Sequence, residues 1–283
     1  MFLHLLRHLP GVVVTASVFL ACNRPCVDLG GADGRTFANE GCPVVMSGRF
    51  SGVGVTILVS REVVQSWLPA GLLTHEQCPY EEHPVVVLFG KQRDLVRTKA
   101  RPYKLMYTRN GKYYFETFVA VPYLKLKVHP YQDPVFHFVR VYLDNARAAR
   151  QGIRGFGWPK IHTAICGGKH RYRVFRNSSQ AILEARPDYG QLEPADLEND
   201  SLEQIRQMFS QPLVLKYQGA FDVYSFDMHF ETATVKSLPS RFQLRKGFMP
   251  RLEPVDENVP GINQQDFGAF HIDCRFVKAP LNF

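Results

Sequence analysis

Apolar residues along most of the chain alternate with polar ones or form short runs, a pattern typical of β-strands rather than of long helices. Two apolar runs flank Arg109-Asn110-Gly111, and an Asn-Gly pair in this position predicts a β-hairpin. Proline, glycine and charged residues dominate Pro239–Asn263, which we predict to be a long loop. The predicted strands are Val53–Val59, Val85–Phe89, Tyr103–Tyr107, Tyr113–Val121, Val135–Leu143, Ile161–Ile165, His170–Phe175, Ala181–Ala185, Leu213–Tyr217, Ala220–Glu231 and Phe267–Lys278.

The predicted helices are short and lie between strands. Ser60 is a good N-cap for a helix over Arg61–Leu68, and Asp144 for one that ends at Gln151. A polar helix ends at Phe209. Many strands with short helices between them predict a mainly β (α+β) fold, built on a closed or strongly bent, mainly antiparallel sheet.

The first 35 residues differ in character from the rest. A short apolar run, Val12–Ala21, follows one arginine, and Leu20-Ala21-Cys22 is weakly similar to a lipoprotein processing site. The run is too short for a stable membrane span. Residues 1–35 are therefore either a signal-like segment, which would export or lipid-anchor the protein, or a non-native extension from an upstream start codon. We predict a second region, residues 36–283, as the folded domain, and a cytoplasmic location with export as the alternative.

The charge of the chain bears on its partners. The formal net charge is +8, but the positive residues are scattered, with no run of five or more Lys or Arg. No nucleic-acid-binding signature is present, so we expect a small anionic molecule rather than nucleic acid as the partner. Apolar residues make up 45% of the chain, which is enough to form a sizeable core.

The sequence carries none of the common metal or cofactor motifs. Its six cysteines form no Cys-x-x-Cys pair, and the histidines of the body lack the short spacing of metal ligands. No phosphate-binding glycine loop and no dinucleotide fingerprint occur. We therefore expect no metal and no cofactor, and we predict Cys166 and Cys274 to be buried thiols in strands.

One lysine stands at an unusual junction. The segment Gly155-Phe156-Gly157-Trp158-Pro159-Lys160 places Lys160 directly after a fixed turn, where neighbours pack its stem. An apolar space in front of the amine would disfavour its charged form. A neutral amine is a nucleophile that forms Schiff bases with carbonyl groups. The alternative is a surface lysine whose ammonium stays in water.

The run Tyr142–Lys160 resembles the acetoacetate decarboxylase family, which carries Tyr-Leu-Asp-Asn…Gly-Arg-Glu…Tyr-Pro-Lys-Lys around its Schiff-base lysine. The stretch from Glu116 to Pro122 and the element Pro239–Leu244 are also similar to this family, so the resemblance covers about residues 40–280. It implies an acetoacetate-decarboxylase-like barrel that forms a homo-oligomer, needs no cofactor and acts on a small anionic oxo acid.

The resemblance also implies roles for three residues. Lys160 matches the nucleophile, Glu116 a family active-site glutamate that would act as acid and base, and Arg49 lies near the arginine that would bind the substrate carboxylate. Without the resemblance, Glu116 could pair with Lys112 across a turn, and Arg49 could be an ordinary strand residue. The implied function is a Schiff-base lyase that decarboxylates a β-keto acid or related oxo acid. The alternatives are a Schiff-base aldolase or dehydratase, or a non-catalytic small-molecule-binding protein.

Three positions depart from the family pattern. Ile161 replaces the second lysine, Arg154 stands where the family has a glutamate, and Val85–Phe89 lacks the acidic residue of the corresponding family strand. We expect these changes to alter proton handling around the lysine, and with it the activity on acetoacetate, while leaving Schiff-base chemistry available.

Overall fold

The computed structural model describes residues 46–96, 113–128, 131–150, 158–168, 170–177, 179–196, 200–217, 220–230 and 232–280. Several predictions concern residues outside these ranges. They are the segment 1–35 with its boundary at residue 36, the strand Tyr103–Tyr107, and the Asn110-Gly111 turn. They stay predictions.

Strands dominate the described chain, and the helices are short. The strands are β1 (Met46–Val59), β2 (Leu72–Thr74), β3 (His83–Val96), β4 (Tyr114–Leu126), β5 (Val135–Leu143), β6 (Lys160–His162), β7 (Ile165–Gly167), β8 (Tyr172–Phe175), β9 (Ala181–Pro187), β10 (Glu193–Pro194), β11 (Leu213–Tyr217), β12 (Ala220–Asp227), β13 (Thr234–Ser237), β14 (Ser240–Leu244), β15 (Val255–Val259) and β16 (Phe270–Pro280). The helices are α1 (Arg61–Trp67) and α2 (Asp200–Ser210), with a helical turn at residues 146–150 and a 3-10 turn at Tyr189–Gln191.

The strands form a large, strongly bent sheet and a smaller one. In the large sheet β1 pairs with both β3 and β16, so that β1, β3, β4, β5, β11, β12 and β16 form a closed circuit of pairings. The small sheet has the order β15-β14-β9-β8-β7. Most pairs are antiparallel, and the parallel ones join β5 to β6 and to β11. The predicted mainly β fold with a bent, mainly antiparallel sheet is confirmed.

Alternation along the strands directs side chains into two cores. On β4, Tyr114, Phe118 and Ala120 enter one core, whereas Val119 and Val121 enter the other. The first, which we call the aromatic core, lies on the inner face of the large sheet. Its aromatic members include Phe50, Phe118, Phe136, Phe138, Trp158, Phe226 and Phe276. The second core, which is mainly aliphatic, contains residues of both sheets.

The helix starts were predicted with mixed success. Ser60 caps α1 as expected, because its side chain accepts a hydrogen bond from the Val63 N–H. Asn145, rather than Asp144, caps the helical turn at 146–150: its Oδ1 accepts from the Ala148 N–H at 2.9 Å. Asp144 instead accepts from the Phe115 N–H at 3.0 Å and so joins the end of β5 to β4. Choosing Asp144 was wrong by one residue.

Three further predictions were wrong. The segment Pro239–Asn263 is not one long loop, because β14 and β15 pair with each other within it and β14 also pairs with β9. The expected strand Ile161–Ile165 is split into β6 and β7, and Ile161 is exposed instead of entering a core. Cys166 is exposed, whereas Cys274 is buried as predicted.

Candidate active site

Adjacent strands bring Lys160 and Glu116 together on one face of the sheet. In register, Glu116 of β4 lies beside Leu143 of β5, and Lys160 of β6 lies beside Val141 of β5. Val141 and Leu143 both face the aromatic core, so their neighbours in register face it too. Two strand spacings, about 10 Å, separate the backbones, and a lysine side chain is long enough to bridge this gap. The Lys160 Nζ lies 3.0 Å from the Glu116 Oε1.

The segment before Lys160 is held by its own backbone contacts. The Val141 N–H donates to the Pro159 carbonyl at 3.0 Å, which attaches the Trp158-Pro159-Lys160 segment to β5. The Thr163 N–H donates to the Leu143 carbonyl at 2.9 Å and fixes the other end of β6. Lys160 therefore has a fixed backbone position from which its stem extends inward.

The ion pair is almost completely removed from water. The side chain of Lys160 is 8% exposed and that of Glu116 is 0% exposed. Burial of two opposite charges costs desolvation free energy that only close contact offsets. The Lys160 amine thus lies in the interior and not in solvent, and the Glu116 carboxylate contacts this amine.

Burial also changes the acidity of Glu116. The loss of hydration raises the pKa of the Glu116 carboxyl above its usual value, and the nearby Lys160 charge opposes this rise. Side-chain contacts with the Lys160 amine and the Tyr114 hydroxyl also lower the pKa of Glu116 and so oppose the effect of burial. The neighbouring Tyr114 hydroxyl also donates a hydrogen bond to the Gln92 Oε1 at 2.6 Å. Burial and the Glu116 charge raise the pKa of Tyr114.

An indole ring forms one wall of the site. Trp158 is buried and stacks on Phe138, with ring centroids 5.3 Å apart. The Lys160 Nζ lies 4.9 Å from the Trp158 ring centroid, a cation–π distance. A second amine, the Nζ of Lys278, lies 5.0 Å from the same centroid and 3.7 Å from that of Tyr224.

Arg49, the expected substrate-binding residue, is not part of this site. Its Nη2 lies 3.2 Å from the Asp273 Oδ1, and its side chain is 42% exposed. Its neighbour Phe50 enters the aromatic core, so alternation points Arg49 to the opposite face of the sheet from Glu116. The structure brings Lys160 and Glu116 together and leaves Arg49 in a surface ion pair.

Tyr114, Trp158 and Lys278 were not predicted from the sequence as residues of the site. Lys278 had a usable signal, since the inward positions of β16 are the apolar Phe270, Ile272, Cys274 and Phe276, followed by this one charge. A single lysine at a core position of an alternating strand indicates either a paired or a functional amine. Nothing in the sequence pattern indicated that this strand would reach Trp158.

Other parts of the described chain offer less chemistry. A surface pocket of about 390 Å³ is lined by Phe115, Ile165, Cys166, Gly167, Gly168, Arg171 and Arg173, and thus excludes both residues of the ion pair. No group of three His, Cys, Asp or Glu in the described ranges could hold a metal ion. Within the described ranges, no helix has the length and apolar character needed to cross a membrane.

Comparison with solved structures finds proteins with a similar fold. The chain is similar to the enduracididine biosynthesis enzyme MppR complexed with pyruvate, with a TM-score of 0.51, 12% identity, and 88% of this chain and 92% of that one covered. MppR complexed with the condensation product of pyruvate and imidazole 4-carboxaldehyde gives a TM-score of 0.50, 11% identity, and coverage of 87% and 90%. An acetoacetate decarboxylase gives a TM-score of 0.47 and 14% identity, with 83% of this chain and 87% of that one covered. Neither a family model nor a curated protein matches the chain. At these identities the likeness shows a shared fold.

Proposed function

We propose that the chain is an enzyme that forms a Schiff base between Lys160 and the carbonyl group of an oxo acid. The observation that carries the proposal is the buried ion pair, in which the Lys160 Nζ lies 3.0 Å from the Glu116 Oε1. A lysine amine in contact with a carboxyl whose pKa is raised has a proton donor and acceptor directly beside it.

The proposed chemistry begins at the nitrogen. The Lys160 amine, after giving a proton to Glu116, adds to the carbonyl carbon, and the nitrogen then passes one of its own protons to the carbonyl oxygen, which becomes a hydroxyl. Glu116 returns the proton to this hydroxyl, which leaves as water, and the protonated imine remains. The buried position of Glu116 suits this role, because its raised pKa makes its acid form accessible nearer to neutral pH.

The first product branch is decarboxylation of a β-keto acid. The bond between the α-carbon and the carboxylate breaks, its electron pair moves into the iminium, and CO2 leaves an enamine. Glu116, which has taken up a new proton from solvent water, then protonates the enamine carbon, and water hydrolyses the imine to release the ketone and the Lys160 amine. This branch makes the protein a carboxy-lyase.

A second branch is aldol-type condensation or dehydration on the same iminium. It is supported by the MppR complexes, which hold pyruvate and the condensation product of pyruvate with an aldehyde at TM-scores of 0.51 and 0.50. Here the enamine of a 2-oxo acid attacks the aldehyde carbon, and the carboxylate is retained. A homo-oligomeric state and a cytoplasmic location, which the fold family also suggests, are part of the proposal.

Borohydride trapping tests the nucleophile. Incubation with acetoacetate or pyruvate and reduction should leave a mass adduct on the peptide that contains Lys160, and Lys160→Ala should abolish it. Lys125→Ala is the matched control, since Lys125 also lies beside a glutamate, Glu76, but in an exposed ion pair. The Lys125→Ala variant should form the same amount of adduct on the Lys160 peptide as the wild type.

The products then separate the branches. Release of CO2 from acetoacetate identifies a decarboxylase, whereas pyruvate adducts that add to an aldehyde without CO2 release identify the condensation branch. If folded protein gives no adduct with either acid at neutral pH, the Schiff-base function is wrong, and non-catalytic binding of a small molecule takes its place.

A further inference from the structure

Lys278 is a second lysine amine in the interior of the molecule. It is 0% exposed and lies on β16 beyond Cys274 and Phe276, which face the aromatic core. Removal of an ammonium from water costs several kcal/mol in proteins. Lysine is therefore rarely found at a fully buried strand position.

The rings around Lys278 connect it to Lys160. Both amines lie near the Trp158 ring: the Lys160 Nζ is 4.9 Å from its centroid and the Lys278 Nζ is 5.0 Å from it. Tyr224 gives Lys278 a second ring at 3.7 Å. Cation–π contacts favour a charged ammonium and restrict its position, which prepares it to meet an anion.

An oxo acid carries one group for each of these two amines. Its carbonyl carbon, which would bond to Lys160, is separated from its carboxylate by no more than a few bonds. A lysine ammonium has three N–H donors, and its attraction for a carboxylate is stronger away from water. Arg49, the other candidate for this task, lies on the opposite face of the sheet in an ion pair with Asp273.

We propose that Lys278 binds the carboxylate of the oxo acid while Lys160 reacts with its carbonyl. This inference rests on the proposed Schiff-base function and makes it more specific: the substrate is recognised as an anion from β16. Lys278 is then a residue of substrate specificity, and a carbonyl compound without a carboxylate lacks this contact.

Trapping with a charged and an uncharged substrate tests the proposal. Pyruvate and methyl pyruvate have the same reactive carbonyl but differ in charge. Wild-type protein should be half-saturated by pyruvate at a lower concentration than by methyl pyruvate. In Lys278→Met the concentration for pyruvate should rise roughly ten- to hundredfold, as expected for loss of a hydrogen bond between charged groups, while that for methyl pyruvate stays the same.

Lys91→Met is the matched control. Lys91 also makes a cation–π contact, 4.4 Å from the Tyr113 ring centroid, but it lies on β3 outside the proposed site, so its loss should change neither value. If Lys278→Met keeps the wild-type ratio of the two concentrations, the proposal is overturned. Should that variant not fold, the wild type alone decides, because equal half-saturation by both compounds also overturns it. A wild type that traps neither compound overturns the Schiff-base function itself, and this inference with it.

Discussion

At the scale of single residues, the contact between Glu116 and Lys160 dominates the chemistry of the interior. The carboxylate and the ammonium lie 3.0 Å apart, and both are shielded from water. Glu116 lies on β4 and Lys160 on β6, and these two strands pair with opposite edges of β5. Proton transfer to and from a positioned carboxyl contributes about 10²- to 10⁴-fold to reaction rates. A substitution that removes proton transfer by Glu116 but keeps the shape of its side chain should therefore slow the reaction measurably.

We expect Glu116→Gln to slow adduct formation at Lys160 roughly 10²- to 10⁴-fold, because an amide cannot exchange a proton with the amine or the carbinolamine. A time course of borohydride trapping with pyruvate measures the rate. Glu76→Gln, in the exposed pair with Lys125, is the control and should leave the rate unchanged. A Glu116→Gln rate within a factor of two of the wild type would exclude Glu116 as the acid and base.

At the scale of elements, β1 and β3 approach closely through two glycines. Gly52 and Gly90 are opposite each other in this pair, and Gly90 is also opposite Glu116 on β4. A Cβ atom on Gly90 would lie 2.5 Å from the Gly52 Cα, a backbone atom that cannot rotate away. The close crossing thus depends on the absence of a side chain next to the candidate site.

We predict that Gly90→Ala lowers the free energy of unfolding by about 3 kcal/mol, because the strands must separate to admit a methyl group. Urea denaturation measures the change. In Gly168→Ala the nearest atom to the new Cβ is 3.7 Å away, which is ordinary contact, so this control should change stability by less than about 1 kcal/mol. Equal losses in the two variants would show that the crossing tolerates a side chain.

Elements that are determined by their own residues could be predicted from the sequence, whereas elements that depend on pairing with distant strands could not. Val135–Leu143 is β5 to the residue, since a short alternating run carries its own signal. β14 was missed because Arg241 and Gln243 make it polar on one face, and only its pairing with β9 and β15 explains it. Lys160 and Glu116 were found through a resemblance in the sequence. Lys278 was not, because its contact with Trp158 depends on how distant strands meet.

At the scale of the whole molecule, buried histidines make stability depend on pH. His137 is buried and its Nδ1 lies 2.7 Å from the Val214 carbonyl oxygen. Burial lowers the pKa of His137 to about 4, and likewise that of His83. Between pH 6.5 and 4 the unfolded chain binds these protons and the folded one does not, so stability falls as pH falls. Glu116 acts in the opposite direction, because its raised pKa lets the folded state take up a proton first.

We expect the free energy of unfolding of the wild type to fall between pH 7 and pH 4.5, with His137 contributing about 2 kcal/mol of the loss. His137→Gln should be less stable at pH 7 but should lose less on acidification. Urea denaturation at both pH values measures this difference, and His170→Gln, at an exposed position, should behave as the wild type. A wild-type loss that persists in full in His137→Gln would assign the acid sensitivity to other groups.

The pairing of β1 with β16 sets a kinetic constraint on the molecule. Arg49 and Asp273, which meet across this pair, are 224 residues apart in the chain. Contacts between such distant segments form slowly, because the entropy of closing the intervening loop must be lost before the contacts form. Since β16 also brings Lys278 to Trp158, the two amines come to lie beside the same indole ring only after this slow step. During folding the chain should therefore spend most of its time without a chemically competent interior.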